Sequence, residues 1–71
     1  MPKLYSSKEI ETALLKIGFV FKSQKGSYGK FKHAEGRMVI LPMNKKEIPT
    51  GTFRSILKQA NLPIKEFEKL C

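Results

Sequence analysis

The fold of this chain is decided by the stretch Lys25-Gly26-Ser27-Tyr28-Gly29-Lys30-Phe31, which places a tight turn between two runs of β-type sequence. Gly26 and Ser27 are residue types that favour a short turn between strands. Alternation after the turn gives one face Tyr28, Lys30 and Lys32, and the opposite face Gly29, Phe31 and His33. An aromatic hydroxyl and several lysines are therefore expected on one side of this strand.

Two further strands are predicted on either side of this one. Phe19–Gln24 is rich in aromatic and β-branched residues, and Arg37–Leu41 follows a second turn at Glu35-Gly36 and ends at Pro42, which cannot donate to a ladder. We interpret Met38 to Leu41 as core or sheet packing. Three consecutive strands with short turns predict an antiparallel meander.

Amphipathic helices are predicted at both ends of the meander. Ser6 and Glu9 have the spacing of a capping box, and Gly18 is expected to end the first helix with a left-handed residue. Thr50 is expected to cap the second helix, with Asn61 at its C-cap. The apolar stripes of the two helices are Ile10, Ala13, Leu14 and Ile17, and Phe53, Ile56, Leu57 and Ala60. A short helical tail carrying Ile64, Phe67 and Leu70 is expected to follow.

The predicted fold class is α+β, with two helices on one face of a three-stranded antiparallel sheet and the other face open. The chain has 71 residues, which predicts a single domain over residues 1–71. A chain of this size buries only about 60% of its unfolded surface, which favours a shallow surface site over a deep catalytic cavity.

The positive charge of the chain is concentrated in its middle. The net charge is +8, and residues 22–46 hold seven of the basic residues against one acidic residue, Glu35. Such an asymmetry is typical of a phosphate-binding face, although lysines that only keep a small protein soluble are the alternative. The candidate RNA-binding residues are Lys22, Lys25, Gly26, Ser27, Lys30 and Lys32.

Other chemistry has little support in the sequence. A single histidine, His33, and a single cysteine, Cys71, do not make a zinc site, no phosphate-binding P-loop motif is present, and we expect no metal and no cofactor. His33 is interpreted as a structural or solvated residue rather than a general base. The lone cysteine, the lack of an apolar leader and the lack of a membrane span predict a cytoplasmic protein without a membrane partner.

Three motifs in order along the chain resemble the HicA toxins, small bacterial mRNA interferases of HicA–HicB toxin–antitoxin systems. They are Lys25-Gly26-Ser27, Val39-Ile40-Leu41-Pro42-Met43 and Gly51-Thr52-Phe53-Arg54-Ser55-Ile56-Leu57-Lys58-Gln59-Ala60. The resemblance implies a double-stranded-RNA-binding-domain-like α-β-β-β-α fold. It also implies ribosome-independent cleavage of mRNA and neutralisation by a HicB-type antitoxin.

The chain departs from the family pattern at two positions. The family places its catalytic histidine directly after Gly-Ser, where this chain has Tyr28, and often a second histidine after Pro-Met, where it has Asn44. A phenol with an ordinary pKa near 10 is ionised in only about one molecule in a thousand at pH 7, so it is a poor general base. We therefore expect a toxin and RNA-binding endoribonuclease, with Tyr28 in the catalytic position and cleavage impaired or absent. The alternative is a non-catalytic RNA-binding or antitoxin-binding module of the same fold.

Overall fold

The helices and strands follow the predicted order. The computed structural model describes residues 4–70, so Cys71 and the N-terminal Met1-Pro2-Lys3 lie outside the described residues. The elements are α1 (Ser7–Lys16), β1 (Phe19–Lys25), β2 (Tyr28–His33), β3 (Met38–Pro42), α2 (Thr50–Ala60) and α3 (Ile64–Leu70). This order confirms the predicted α+β class, with α-β-β-β-α followed by a short C-terminal helix.

The three strands form an antiparallel meander in the order β1-β2-β3. Lys25 pairs with Tyr28 across the two-residue Gly26-Ser27 loop, which fixes the register of the hairpin. On the other side Tyr28 pairs with Pro42, so Pro42 lies within β3 rather than just beyond it. A proline is tolerated there because β3 is an edge strand, whose outward-facing positions need no ladder donor.

The first helix begins and ends as its sequence predicts. The Ser6 hydroxyl accepts from the Glu9 amide at 3.1 Å, and the Glu9 carboxylate accepts from the Ser6 amide at 2.9 Å, which completes the capping box. Gly18 has a φ of +101°, a conformation that a residue with a Cβ adopts only with strain. The chain can therefore leave α1 and enter β1 without a longer connection.

The second helix starts differently from the prediction. Thr50 is the first residue of α2 rather than its cap, and the N-cap is Pro49, which supplies no side-chain hydrogen bond. The backbone of Pro49 has φ −57° and ψ 146°, an extended conformation from which the chain enters the helix. The Pro49 carbonyl accepts a hydrogen bond from the Phe53 amide at 2.9 Å. At the other end Asn61 is the C-cap as predicted, in the left-handed conformation with a φ of 54°.

The hydrophobic core lies between the helices and one face of the sheet. Its fully buried large side chains are Ile10, Leu14, Phe19, Phe31, Val39, Leu41, Ile48, Ile56 and Phe67. Within residues 4–70 no helix covers the opposite face of the sheet, and the strand residues Lys30, Lys32, Met38 and Ile40 on that face are exposed. The fold therefore presents one sheet face to solvent, as the sequence predicts.

The C-terminal helix is part of this core. Phe67 is fully buried, with its ring centroid 4.7 Å from that of Tyr5 and 5.0 Å from that of Phe53, both near edge-to-face. Ile64, which has the same helical spacing, is half exposed, so the predicted apolar stripe of the tail is anchored mainly through Phe67. Phe67 is therefore the main anchor of the helix, and Leu70, which is partly buried against the core and accepts a hydrogen bond from Lys16 Nζ at 2.9 Å, adds to it.

The burial of Phe67 predicts that two alanine substitutions in α3 lower the free energy of unfolding by very different amounts. Phe67→Ala should lower the free energy of unfolding by about 3–5 kcal/mol because it leaves a buried cavity. Ile64→Ala, at an exposed position, should cost about 1 kcal/mol or less, and Phe67→Leu should fall between them. Urea denaturation followed by circular dichroism gives the three values. Equal costs for Phe67→Ala and Ile64→Ala would show that α3 is not anchored in this way.

Candidate nucleic-acid interface

The sheet face that is not covered by helices carries the site residues that the sequence predicts. Along β2 the even-numbered residues are exposed, while Gly29 and Phe31 are buried beneath the helices. Cross-strand pairing then aligns three rows on this face, which we call the open face. The rows are Val20–Lys32–Met38, Ser23–Lys30–Ile40 and Lys25–Tyr28–Pro42. Tyr28 is 55% exposed at one end of the open face.

The four candidate lysines all belong to this side of the molecule. Lys30 and Lys32 occupy the centre of the open face, and Lys25 lies directly across from Tyr28. Lys22 falls at an irregularity of β1, where the register shifts between Phe21 and Ser23. It lines a shallow depression of 350 Å³ together with Val20 and Lys32 of the open face and with His33 of the helix side, so Lys22 lies next to Lys32 at the β1 edge of the open face.

The Gly26-Ser27 turn lies at the Tyr28 end of the same face. Gly26 has a φ of +60°, as the first residue of a type II′ turn requires, and its carbonyl accepts from the Gln24 amide group at 3.0 Å. The Ser27 carbonyl accepts from the Met43 amide at 2.7 Å. The structure therefore brings together all the residues of the predicted site: Lys22, Lys25, Gly26, Ser27, Tyr28, Lys30 and Lys32.

Three other basic residues of the middle segment lie elsewhere. The Arg37 guanidinium is bound to the Glu35 carboxylate at 2.5 Å and stands 5.8 Å from the centre of the Phe19 ring. Lys45 and Lys46 lie in the loop after β3. The charge excess of residues 22–46 is thus divided between the open face and this loop, which the linear sequence does not show.

The open face also carries aliphatic side chains. Met38 and Ile40, interpreted as packing residues, are 41% and 43% exposed, whereas Val39 and Leu41 are in the core. Val20 on β1 is likewise exposed. The alternation used for β2 predicts this arrangement when it is applied to β3 as well. The face is therefore a mixture of cations and aliphatic groups.

The loop that holds Asn44 is positioned against the turn by a close backbone approach. A Cβ on buried Gly29 would lie 2.8 Å from the Met43 sulfur, so a larger residue there would force the Met43 side chain to move. Met43 also donates its amide to Ser27, and Asn44 follows with a φ of 61°. Asn44 and Tyr28 thus belong to segments that meet at one end of the sheet.

The single histidine is held by hydrogen bonds on the helix side of β2. His33 Nδ1 accepts from the Glu35 amide at 3.0 Å, so Nε2 carries the proton and donates to the Ile17 carbonyl, also at 3.0 Å. The His33 side chain is 15% exposed. It joins the end of α1 to the β2–β3 turn, and by alternation it faces away from Tyr28.

No helix within residues 4–70 is long and apolar enough to span a bilayer. In the same part of the chain, no three His, Cys, Asp or Glu side chains are grouped so that they could hold a metal ion.

The fold and the open face define a class: a small α+β domain that presents a basic sheet surface beside a glycine-containing turn. Comparison with known families agrees with this class. The profile of the HicA toxin of bacterial toxin–antitoxin systems matches residues 7–62, which is most of the chain. The chain therefore belongs to the HicA toxin family, as its motifs indicate, and the family implies an antitoxin partner. Among curated proteins, none matches closely enough to serve as a relative for comparison.

The contact between Gly18 and His33 predicts that replacing Gly18 lowers the stability of the fold. A Cβ on Gly18 would lie 2.9 Å from His33 Nε2 at a positive φ, so Gly18→Ala should cost more than about 1 kcal/mol of stability. Gly51→Ala in α2 is the matched control, because its Cβ would meet nothing within 4 Å and alanine favours a helix. Thermal unfolding should show a lower Tm for the first variant and an equal or higher Tm for the second. A Gly18→Ala protein as stable as the parent would contradict the described packing of His33.

Proposed function

We propose that this chain is an mRNA-binding toxin that acts in the cytoplasm, and that its open face holds the RNA. The observation that carries the proposal is the gathering of four lysines and Tyr28 on one uncovered sheet face. Membership in the HicA toxin family supports the toxin role. The neutralising partner is proposed to be a HicB-type antitoxin.

The lysines suit the phosphate backbone. Exposed ammonium groups on Lys22, Lys25 and Lys30 lie along β1 and β2, where they can neutralise successive phosphates and release counterions. The Tyr28 ring is exposed beside them and offers a surface on which an unpaired base can stack. The left-handed Gly26 lets the backbone turn there without a side chain that would obstruct a bound strand. Together these groups would position an RNA strand across the Tyr28 end of the face.

Cleavage of that strand requires more than binding. The 2′-hydroxyl must lose a proton, the leaving 5′-oxygen must gain one, and the additional negative charge on the phosphate must be stabilised. The lysines can supply charge stabilisation, but a tyrosine at the family's histidine position is a poor general base near neutral pH. We propose that Tyr28 donates a hydrogen bond to the phosphate and that cleavage is strongly impaired in this chain.

The binding part of the proposal predicts the effect of removing one central lysine. Lys30→Ala should weaken RNA binding and make the slope of log K against log salt shallower by about 0.7. Lys65→Ala on α3, also an exposed lysine but on the helical side, should change neither quantity. Fluorescence anisotropy with a labelled single-stranded RNA over a series of salt concentrations measures both. Unchanged affinity of Lys30→Ala at low salt would refute the proposed RNA surface.

The catalytic part predicts a gain of activity on a single substitution. Tyr28→His should raise the rate of RNA cleavage by about 10²–10⁴-fold, the usual contribution of general acid–base catalysis. Tyr28→Phe, which keeps the ring without the hydroxyl, should not gain activity. Cleavage of labelled RNA in vitro and growth after induced expression report the effect. If Tyr28→His binds RNA but neither cleaves it nor arrests growth, the chain is a binding module and not a nuclease.

A second function has support from the aliphatic residues of the open face. Exposed Val20, Met38 and Ile40 are not needed for phosphate contacts, whereas apolar side chains interspersed with charges are typical of protein interfaces. An acidic antitoxin that covers the same face would complement both the lysines and the aliphatic groups. Binding of RNA and binding of antitoxin would then exclude each other.

A further inference from the structure

A second basic surface lies next to the open face. It is a groove of 470 Å³ between the first turn of α1 and the loop that follows β3, lined by Lys8, Lys45 and Lys46 among others. The carboxylate of Glu11 also lines it, so the groove has three cations against one anion. The residues come from two segments that are more than thirty positions apart, which is why the linear sequence does not reveal the cluster.

The backbone of the groove is fixed by hydrogen bonds rather than by the lysine side chains. The Ser7 amide donates to the Lys45 carbonyl at 2.9 Å, and the Lys45 amide donates to the Ser7 hydroxyl at 3.0 Å. The same hydroxyl donates to the Pro42 carbonyl at 2.5 Å. These bonds fix the main chain of Lys45 and do not involve its side chain. The side chains of Lys45 and Lys46 are exposed, so their ammonium groups can contact a ligand.

The groove is continuous with the open face through Met43. Met43 lines the groove, donates its amide to the Ser27 carbonyl at 2.7 Å and packs against Gly29, the neighbour of Tyr28 in β2. A strand that leaves the Tyr28 end of the open face past the turn therefore meets Asn44 and then the lysines of the groove. The described large apolar residues that are exposed lie elsewhere, so the groove suits a charged ligand better than a protein surface.

We propose that this groove is a second phosphate-binding site, which takes the backbone of an RNA strand after it crosses the Gly26–Ser27 turn. The inference rests on the proposed RNA-binding function and extends its footprint beyond the sheet. Each lysine of the groove that neutralises a phosphate of the strand should contribute about 0.7 to the salt slope of single-stranded binding. RNA long enough to span both surfaces should therefore bind with a steeper salt dependence than RNA that covers only the open face.

The test compares two double variants that remove the same charge. Lys45→Ala with Lys46→Ala should make the salt slope for an RNA of about 16 nucleotides shallower by about 1.4, which corresponds to about sevenfold less loss of affinity between 50 and 200 mM salt. Lys65→Ala with Lys69→Ala, two exposed lysines of α3, should leave the slope unchanged. With an RNA of about 4 nucleotides, shorter than the combined surface, the groove variant should match the parent. Circular dichroism confirms that both variants are folded.

The outcomes separate the two proposals. A slope unchanged by the Lys45 and Lys46 substitutions, with Lys30→Ala still weakening binding, overturns the groove and leaves the open face standing. Equal slope changes in the groove variant and the α3 variant also overturn it, because they indicate an unlocalised effect of net charge. A parent protein that does not retain RNA at low salt overturns the proposed function and the groove with it.

Discussion

The structure depends on the burial of Phe31 at the centre of the sheet. Phe31 is fully buried beneath the helices, and Val39 pairs beside it from β3. Because successive side chains of a strand point to opposite faces, burying Phe31 obliges its neighbours Lys30 and Lys32 to face solvent. A register slip of one residue would bury these lysines, and an unpaired buried ammonium group is costly enough to exclude that alternative. The basic open face is therefore a direct consequence of the core.

The edges of the sheet are less accessible to a binding partner than its open face. On the outer side of β3, the Ile40 amide donates to the Gln59 side chain at 3.3 Å and the Pro42 carbonyl accepts from Ser7. On the other edge, β1 has an irregularity at Lys22, and irregular, charged edge strands resist pairing with another strand. A partner is accordingly expected to engage the flat face and the turn, where side chains rather than backbone groups make the contacts.

Local patterns in the sequence were sufficient for most of the fold. The capping box at Ser6, the turn at Gly26 and the alternation along β2 each depend on neighbouring residues, and each is present in the structure. The exposure of Met38 and Ile40 is harder to predict, because all four residues from Met38 to Leu41 are apolar and their composition hides the alternation. In the structure β3 alternates between buried and exposed residues as β2 does.

The features that sequence reasoning could not reach depend on long-range contacts. The groove requires Ser7 to meet Lys45, and Arg37 lies away from the open face over the ring of Phe19, a residue of another strand. The charged segment is divided between two surfaces because the loop after β3 is hydrogen-bonded to the start of α1. That contact joins residues far apart in the sequence. The family resemblance proposes a position for a catalytic side chain, whereas the open face and the neighbouring groove are visible only in the fold.

Binding and chemistry are separable on this scaffold for a physical reason. Phosphate contacts require only positive charge at approximate positions, and several lysines share that task. Proton transfer requires one group of suitable pKa at one position, which we propose to be the position of Tyr28. The backbone of Tyr28 is fixed by pairing with Lys25 and Pro42, and its side chain is exposed, so the ladder holds this position whatever residue occupies it. Under the proposed function, the same fold would hold RNA with or without cutting it, and the exposed side chain at position 28 would decide between the two.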